Sequence, residues 1–197
     1  MDAIETIEKG DIIGRIRQDD MPDDPRNWDN LGRMECWHRR YNLGDKHDHK
    51  PEEFGGWDEF MEHLVEEHDA KIILSLYLYD HSGLYLKVGS WHGHLPQGHA
   101  EFDSGQVGFI YATGEAIRKE YSVKKITKEI LAKANEVLKA EVKTYAQYLS
   151  GEVYTYSIVR KTKCDSCGHE DEDVLDSCGG YYGIEDCKQA LEEAMKS

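Results

Sequence analysis

The residues in this chain best equipped for chemistry are histidines, arginines and cysteines gathered in a few short stretches. The densest is Asp29–Asp45, where His38, Arg39, Arg40 and Tyr41 follow one another in a protein otherwise short of positive charge. Two neighbouring guanidiniums disfavour a charged imidazole, which leaves His38 as a neutral base or ligand, while the arginines can grip a carboxylate or phosphate. The structural alternative pairs both arginines with Asp29, Asp45 and other local carboxylates, so that they fix a loop. His81 and Asp103 complete the candidate set. If they share one cleft with His38, Arg39 and Arg40, the chain is a small enzyme or ligand binder for a nucleotide or other phosphorylated metabolite. Asp80-His81-Ser82-Gly83 and Asp103-Ser104-Gly105-Gln106 hold the ingredients of an acyl-transfer triad, but Ser82 directly adjoins His81 and neither serine lies in a Gly-x-Ser-x-Gly elbow. Turn chemistry accounts for both segments, since Asp and Ser cap local amides and Gly takes positive φ.

A second chemistry is metal binding. Cys164-Asp-Ser-Cys167-Gly-His169, followed by Cys178, has the spacing of a zinc knuckle, with His169 or Cys178 completing the tetrahedron. A structural zinc there would staple a hairpin; the alternative is free thiols at a loop tip. Cys187 sits on an apolar helical stripe and reads as core. His47-Asp-His49 and His92-Gly-His94, with His99 nearby, can each direct two rings to one side, but in polar loops they read as incidental exposed histidines. His63 and His68 resemble the helix of a zinc protease yet stand five residues apart, where shared helical ligation calls for three or four.

These residues need elements to position them. Ile12–Arg17 reads as a first strand, Asp19–Asn30 as a loop, and Leu31–Tyr41 as a loosely alternating strand. Trp57, Phe60, Met61, Leu64, Val65 and His68 recur at helical spacing, which predicts an amphipathic helix over Trp57–His68. Lys71–Tyr79 is a nearly continuous apolar run suited to a central strand, and Asp80–Gly83 turns it into Leu84–Val88 as a hairpin. Gln106–Ala112 is a further strand, with Thr113 capping a short helix. Lys128–Leu149 is the clearest helix, with Ile130, Leu131, Ala134, Val137, Leu138, Tyr145 and Leu149 facing inward and Gly151 as its left-handed stop. Glu152–Lys161 and Asp173–Ser177 read as strands flanking the cysteine-bearing hairpin loop 162–173, and Ile184–Met195 as a last helix. The expected fold is a single α+β domain over residues 1–197: a mostly antiparallel sheet of about five or six strands with helices packed on one face.

Composition bounds the rest. With 39% hydrophobic and 32% charged residues the chain is globular, and 24 basic against 39 acidic residues set its net charge at −15. Such a surplus opposes approach to phosphate backbones and anionic membranes within about 8 Å, the Debye length at physiological salt, so neither direct nucleic-acid binding nor membrane attachment is expected. The longest apolar run, around Ile72–Tyr79, is too short to cross a bilayer, the start lacks signal-peptide character, and an odd count of cysteines suits reduced thiols or a metal site better than a secreted disulfide frame; the expectation is a cytoplasmic protein.

The segments Asp29–Asp45, Tyr79–Gly83, Asp103–Ile110 and Asp176–Gly183 together resemble a family of small uncharacterised proteins encoded by bacteriophages, plasmids and other mobile elements. The resemblance spans the chain from about Asp24 onward, with the Cys164–His169 insertion departing from the pattern. It implies no catalytic residue. Joined to the charge, it implies an anti-defence inhibitor, of the anti-CRISPR or antirestriction kind, that engages a basic protein partner such as a host nuclease or CRISPR effector and occupies its nucleic-acid channel.

Overall fold

The structure is a computed structural model that describes residues 2–95, 102–163 and 167–196. The chain divides into two compact units, one made of residues Met1–Asp23 with Ser150–Ser197, the other of Asp24–Leu149. The class is α+β as expected, but the strands form two antiparallel sheets of four rather than one of five or six.

In the first unit β1 (Glu5–Lys9), β2 (Ile12–Gln18), β7 (Val153–Lys163) and β8 (Glu170–Tyr182) lie in the order β1-β2-β7-β8. Polar β1 lacks the apolar alternation that betrays a strand; its pairing with β2 makes it one. The last helix of the chain, Ile184–Ala194, covers this sheet through Cys187 and Leu191, which bury against Ile16, Tyr156 and Ile158. Gly14 permits that approach, because a Cβ there would stand 2.6 Å from the Met195 sulfur and 2.8 Å from a Leu191 methyl. Cys187 is core, as its stripe position predicted, and burial pushes its thiol up to about 11.

The second unit holds β3 (Arg33–Cys36), β4 (Ala70–Asp80), β5 (Leu84–Val88) and β6 (Ser104–Thr113) in the order β3-β6-β4-β5. Of the predicted strand Leu31–Tyr41 only Arg33–Cys36 forms a strand, since after one more backbone bond, from the Trp37 amide to the Val107 carbonyl, the chain leaves β6 to form a loop. Its helices are α1 (Trp57–His68), α2 (Gly114–Glu120, capped by the Thr113 hydroxyl as predicted) and α3 (Lys128–Ser150); the first unit's helix is then α4.

Alternation along β6 decides where these helices go. Ile110 and Ala112 join Ala134, Leu138, Val142 and Tyr145 of α3 in one core, while Phe109 and Tyr111 join Phe60 and Leu64 of α1 in another. Neighbouring residues of a strand point to opposite faces, so this sheet is covered on both, which corrects the expectation of helices on one face. Val137, predicted to face inward, is 38% exposed. On β3 the same alternation sends Met34 and Cys36 toward α3 and turns Glu35 toward α1. Gly108 lets β3 come close: a Cβ there would lie 2.0 Å from the Glu35 carbonyl oxygen. No helix among the described residues is long and apolar enough to cross a membrane.

Candidate functional site

Three segments far apart in sequence meet at one cleft of about 400 Å³ in the second unit. The loop after β3 brings His38, Arg39 and Arg40, the end of β4 brings Asp80, and the start of β6 brings Asp103 and Gln106. His81 lies beside them, with Nδ1 3.1 Å from Asp103 Oδ2. The five candidates read from sequence are therefore neighbours. Arg40 pairs with Asp80, while Arg39, exposed at the cleft wall, has no ion pair among the described residues. Asp45, a partner anticipated for these arginines, is taken instead by Arg26. The His38 ring stacks on Tyr41 with centroids 4.9 Å apart, and its Nδ1 accepts from the Arg40 amide at 3.3 Å. Its pKa is lowered as expected, but chiefly by burial; Asp80 opposes that, and repulsion from Arg40 and Arg39 adds smaller contributions. A buried Nε2 of Gln106 has no hydrogen-bond partner among the described residues and belongs to the same wall. The cleft offers an anion one guanidinium outside every ion pair among the described residues, a neutral imidazole and a buried amide donor, beside the carboxylates of Asp80 and Asp103.

The second constellation lies on the α1 face. Glu35, whose side chain is fully buried, accepts from Tyr111 Oη at 2.7 Å and pairs with Arg33 Nε at 2.8 Å. Its other oxygen lies 2.7 Å from His49 Nδ1, and a carboxylate acceptor there means that Nδ1 carries the hydrogen. Burial raises the Glu35 pKa, yet the hydrogen bonds from His49 and Tyr111 and the charge of Arg33 together outweigh it, and the net shift is downward. His49 Nε2 thereby turns its lone pair outward, 3.3 Å from His63 Nε2, and His68 closes the group: the three rings offer nitrogens within 4.8 Å of one another. Burial also lowers the pKa of His68. Glu35, His47 and His49 form an overlapping trio, in which His47 Nδ1 is buried, has no hydrogen-bond partner among the described residues and stands 3.9 Å from Glu35 Oε2. Both trios stand close enough to hold a metal ion.

The loop that carries His47 and His49 is anchored at several points. The Asp45 amide donates to the Met34 carbonyl at 2.7 Å, Asp45 Oδ2 accepts from the Met34 amide at 2.8 Å, and Trp37 Nε1 donates to the His49 carbonyl at 2.9 Å. Behind it Arg26, 4% exposed at its side chain, reaches both Asp45 oxygens at 2.9 Å, the Gly32 carbonyl at 2.6 Å and Glu141 at 3.4 Å.

This cluster is what sequence reasoning passed over. His63 and His68 lie about 140° apart around the helix, too far to share an ion from one face. They flank the buried stripe of Phe60 and Leu64 from either side, and His49 enters over that stripe from the loop. The usable signal was their combination with His47-x-His49, not either spacing alone.

The cysteine set fares differently. Cys164 lies outside the described residues. Cys167 and His169 are exposed at the tip of the β7–β8 hairpin, but Cys178 pairs opposite Tyr156, eight residues beyond Glu170 on β8. At about 3.3 Å per residue that is roughly 26 Å from the tip, so Cys178 cannot share an ion with Cys167 and His169 of its own chain. His92 and His94 enter neither metal-sized group, and His99 is outside the described residues.

The fold and these sites define a class: an α+β protein with a cleft of arginine, histidine and aspartate side chains and a histidine–carboxylate cluster in one unit, and a sheet with an acidic edge in the other. Comparison of the chain with protein-family models, with curated proteins and with solved structures returns no match. The functional reading therefore rests on the side chains themselves.

Proposed function

We propose that the second unit binds a small anionic ligand, a nucleotide or another phosphorylated metabolite, in the cleft of His38, Arg39, Arg40 and Asp103. The observation that carries this reading is the meeting of three distant segments at that cleft with Arg39 left out of every ion pair among the described residues. Arg40, held by Asp80, shapes the wall; Arg39 supplies the charge for the ligand, and neutral His38 accepts a hydrogen bond or a proton from it. Isothermal titration with inorganic phosphate and adenosine monophosphate tests the proposal. Arg39→Ala should weaken binding about 10- to 100-fold, the worth of a charge-assisted hydrogen bond of roughly 1.5–3 kcal/mol. Wild-type protein that binds neither probe, or an Arg39→Ala variant that binds both as well as wild type, overturns it.

A second reading concerns the first unit. Its stretches, Met1–Asp23 and Ser150–Ser197, carry 18 acidic and 8 basic residues, so two-thirds of the chain's net charge of −15 resides there. Arg15, Arg160, Lys161, Lys163 and Lys188 are already engaged by carboxylates, and the outer strand β8 begins Glu170-Asp-Glu-Asp173, fully exposed. This favours an inhibitor that engages a basic, nucleic-acid-binding protein, such as a host nuclease or CRISPR effector, in keeping with the resemblance to proteins of phages and other mobile elements. Pull-downs from bacterial lysate should then capture a partner at low salt, release it at high salt and lose it to added nucleic acid. Capture that responds to neither removes this reading.

For the β7–β8 hairpin, structural zinc on Cys167 and His169 together with Cys164 is a further proposal, supported by the Cys-x-x-Cys spacing and by the exposure of both described groups.

A further inference from the structure

We infer that His49, His63 and His68 form a binding site for a divalent transition metal of the zinc class, with Glu35 as the carboxylate behind His49 and a fourth coordination position open. The inference is independent of the anion cleft and of the cysteine hairpin.

Spacing is the first argument. Two nitrogens bound to one tetrahedral zinc at 2.0–2.1 Å must stand about 3.3–3.4 Å apart. His49 Nε2 and His63 Nε2 are 3.3 Å apart, and His68 offers a third nitrogen within 4.8 Å of both. The three rings meet edge to face, with centroids 5.0, 5.6 and 5.4 Å apart and planes crossing at 86°, 76° and 76°, a packing that holds one nitrogen of each within 4.8 Å of the others.

Orientation is the second. A ligating histidine characteristically donates its other ring N–H to a carboxylate, which fixes the tautomer and raises the basicity of the ligating nitrogen. Glu35 does this for His49 at 2.7 Å, and is itself held by Tyr111 and Arg33. That contact has the length of a charge-assisted hydrogen bond and is shorter than the separation of two ligands on one ion, which favours the three-histidine site over the overlapping Glu35–His47–His49 trio. His49 cannot spend Nδ1 on both.

The donor set names the class of metal. Three neutral imidazoles suit zinc, cobalt, nickel or copper, whereas magnesium and calcium require oxygen ligands. The rings are half-buried and no fourth His, Cys, Asp or Glu among the described residues joins all three. Water or a small ligand would occupy the remaining position, as in sites with three protein ligands.

The test uses the full chain, stripped with a chelator and dialysed. Zinc is titrated calorimetrically and cobalt is followed by absorption, in wild type, in a Cys164→Ser/Cys167→Ser/Cys178→Ser variant, and in His63→Ala, His68→Ala and Glu35→Gln variants. The expected result is zinc binding that survives loss of the cysteines, a tetrahedral cobalt spectrum without a thiolate charge-transfer band in the triple-cysteine variant, at least tenfold weaker binding in either histidine variant, and about 10- to 100-fold weaker binding in Glu35→Gln. Far-UV circular dichroism of the metal-free variants separates lost ligands from lost fold, and the cobalt spectrum of the triple-cysteine variant shows whether nitrogen ligands alone hold the ion. Zinc binding that disappears in the triple-cysteine variant, binding that neither His63→Ala nor His68→Ala weakens, or wild type that binds no zinc overturns the inference.

Discussion

Arg26→Ala should destabilise the second unit by about 3–5 kcal/mol, the usual cost of removing one partner from a buried ion pair. Arg26 is 4% exposed at its side chain and holds Asp45 through two nitrogens, Glu141 through a third contact and the Gly32 carbonyl besides. Alanine leaves two carboxylates facing each other across a gap that their own backbone donors, Met34 for Asp45 and Leu31 for Glu141, only partly satisfy. Lysine should recover little, because one ammonium cannot reproduce the fork that grips both Asp45 oxygens. All four tryptophans, Trp28, Trp37, Trp57 and Trp91, belong to the second unit, so their fluorescence during urea unfolding reports on it selectively. A variant within about 1 kcal/mol of wild type would mean that the network does not anchor this loop.

Glu35→Ala should cost about 2–4 kcal/mol in chelator-treated protein, since the Tyr111 hydroxyl and the His49 ring N–H lose their acceptor at a site closed to water. Tyr111→Phe removes one donor along with its hydrogen bond and should cost less, about 0.5–1.5 kcal/mol. The pH dependence has a definite sign. The folded pKa of Glu35 is depressed, so its ionised form contributes stability above the unfolded carboxylate value, near pH 4.3, and that contribution is lost as pH falls through the folded value. The difference between wild type and Glu35→Gln should therefore be full at neutral pH and shrink only in strong acid. A difference that instead grows as pH falls would show that Glu35 is protonated in the native protein.

Much of the local structure was legible because it follows from short-range rules. The Trp57–His68 helix, the hairpin about Asp80–Gly83, the Thr113 cap and the positive-φ stop at Gly151 all depend on periodicity, capping and turn chemistry within a few residues. What escaped were features that depend on pairing. Glu5–Lys9 is a strand because β2 lies beside it, and Trp37–Tyr41 is not one because, after the Trp37 amide bonds to the Val107 carbonyl, the chain turns away from β6. Of the candidate residues, His38, Arg39, Arg40, His81 and Asp103 were found by residue type and do meet, whereas Cys178 was added to the cysteine set by proximity in sequence and is carried away by strand register.

The sequence alone determined the class of the protein, most of its helices and strands, its acidic surplus and the kinds of side chain available for chemistry, since each of these is a property of composition or of a short window. Only the tertiary structure decided that the strands divide between two sheets, that α1 and α3 take opposite faces of one of them, and that His49 meets His63, His68 and Glu35. The reason is geometric: a site assembled from a loop, the two flanks of a helix and an inward-facing strand residue is specified by strand pairing and by which face each residue occupies, and neither leaves a mark in the spacing of any one segment.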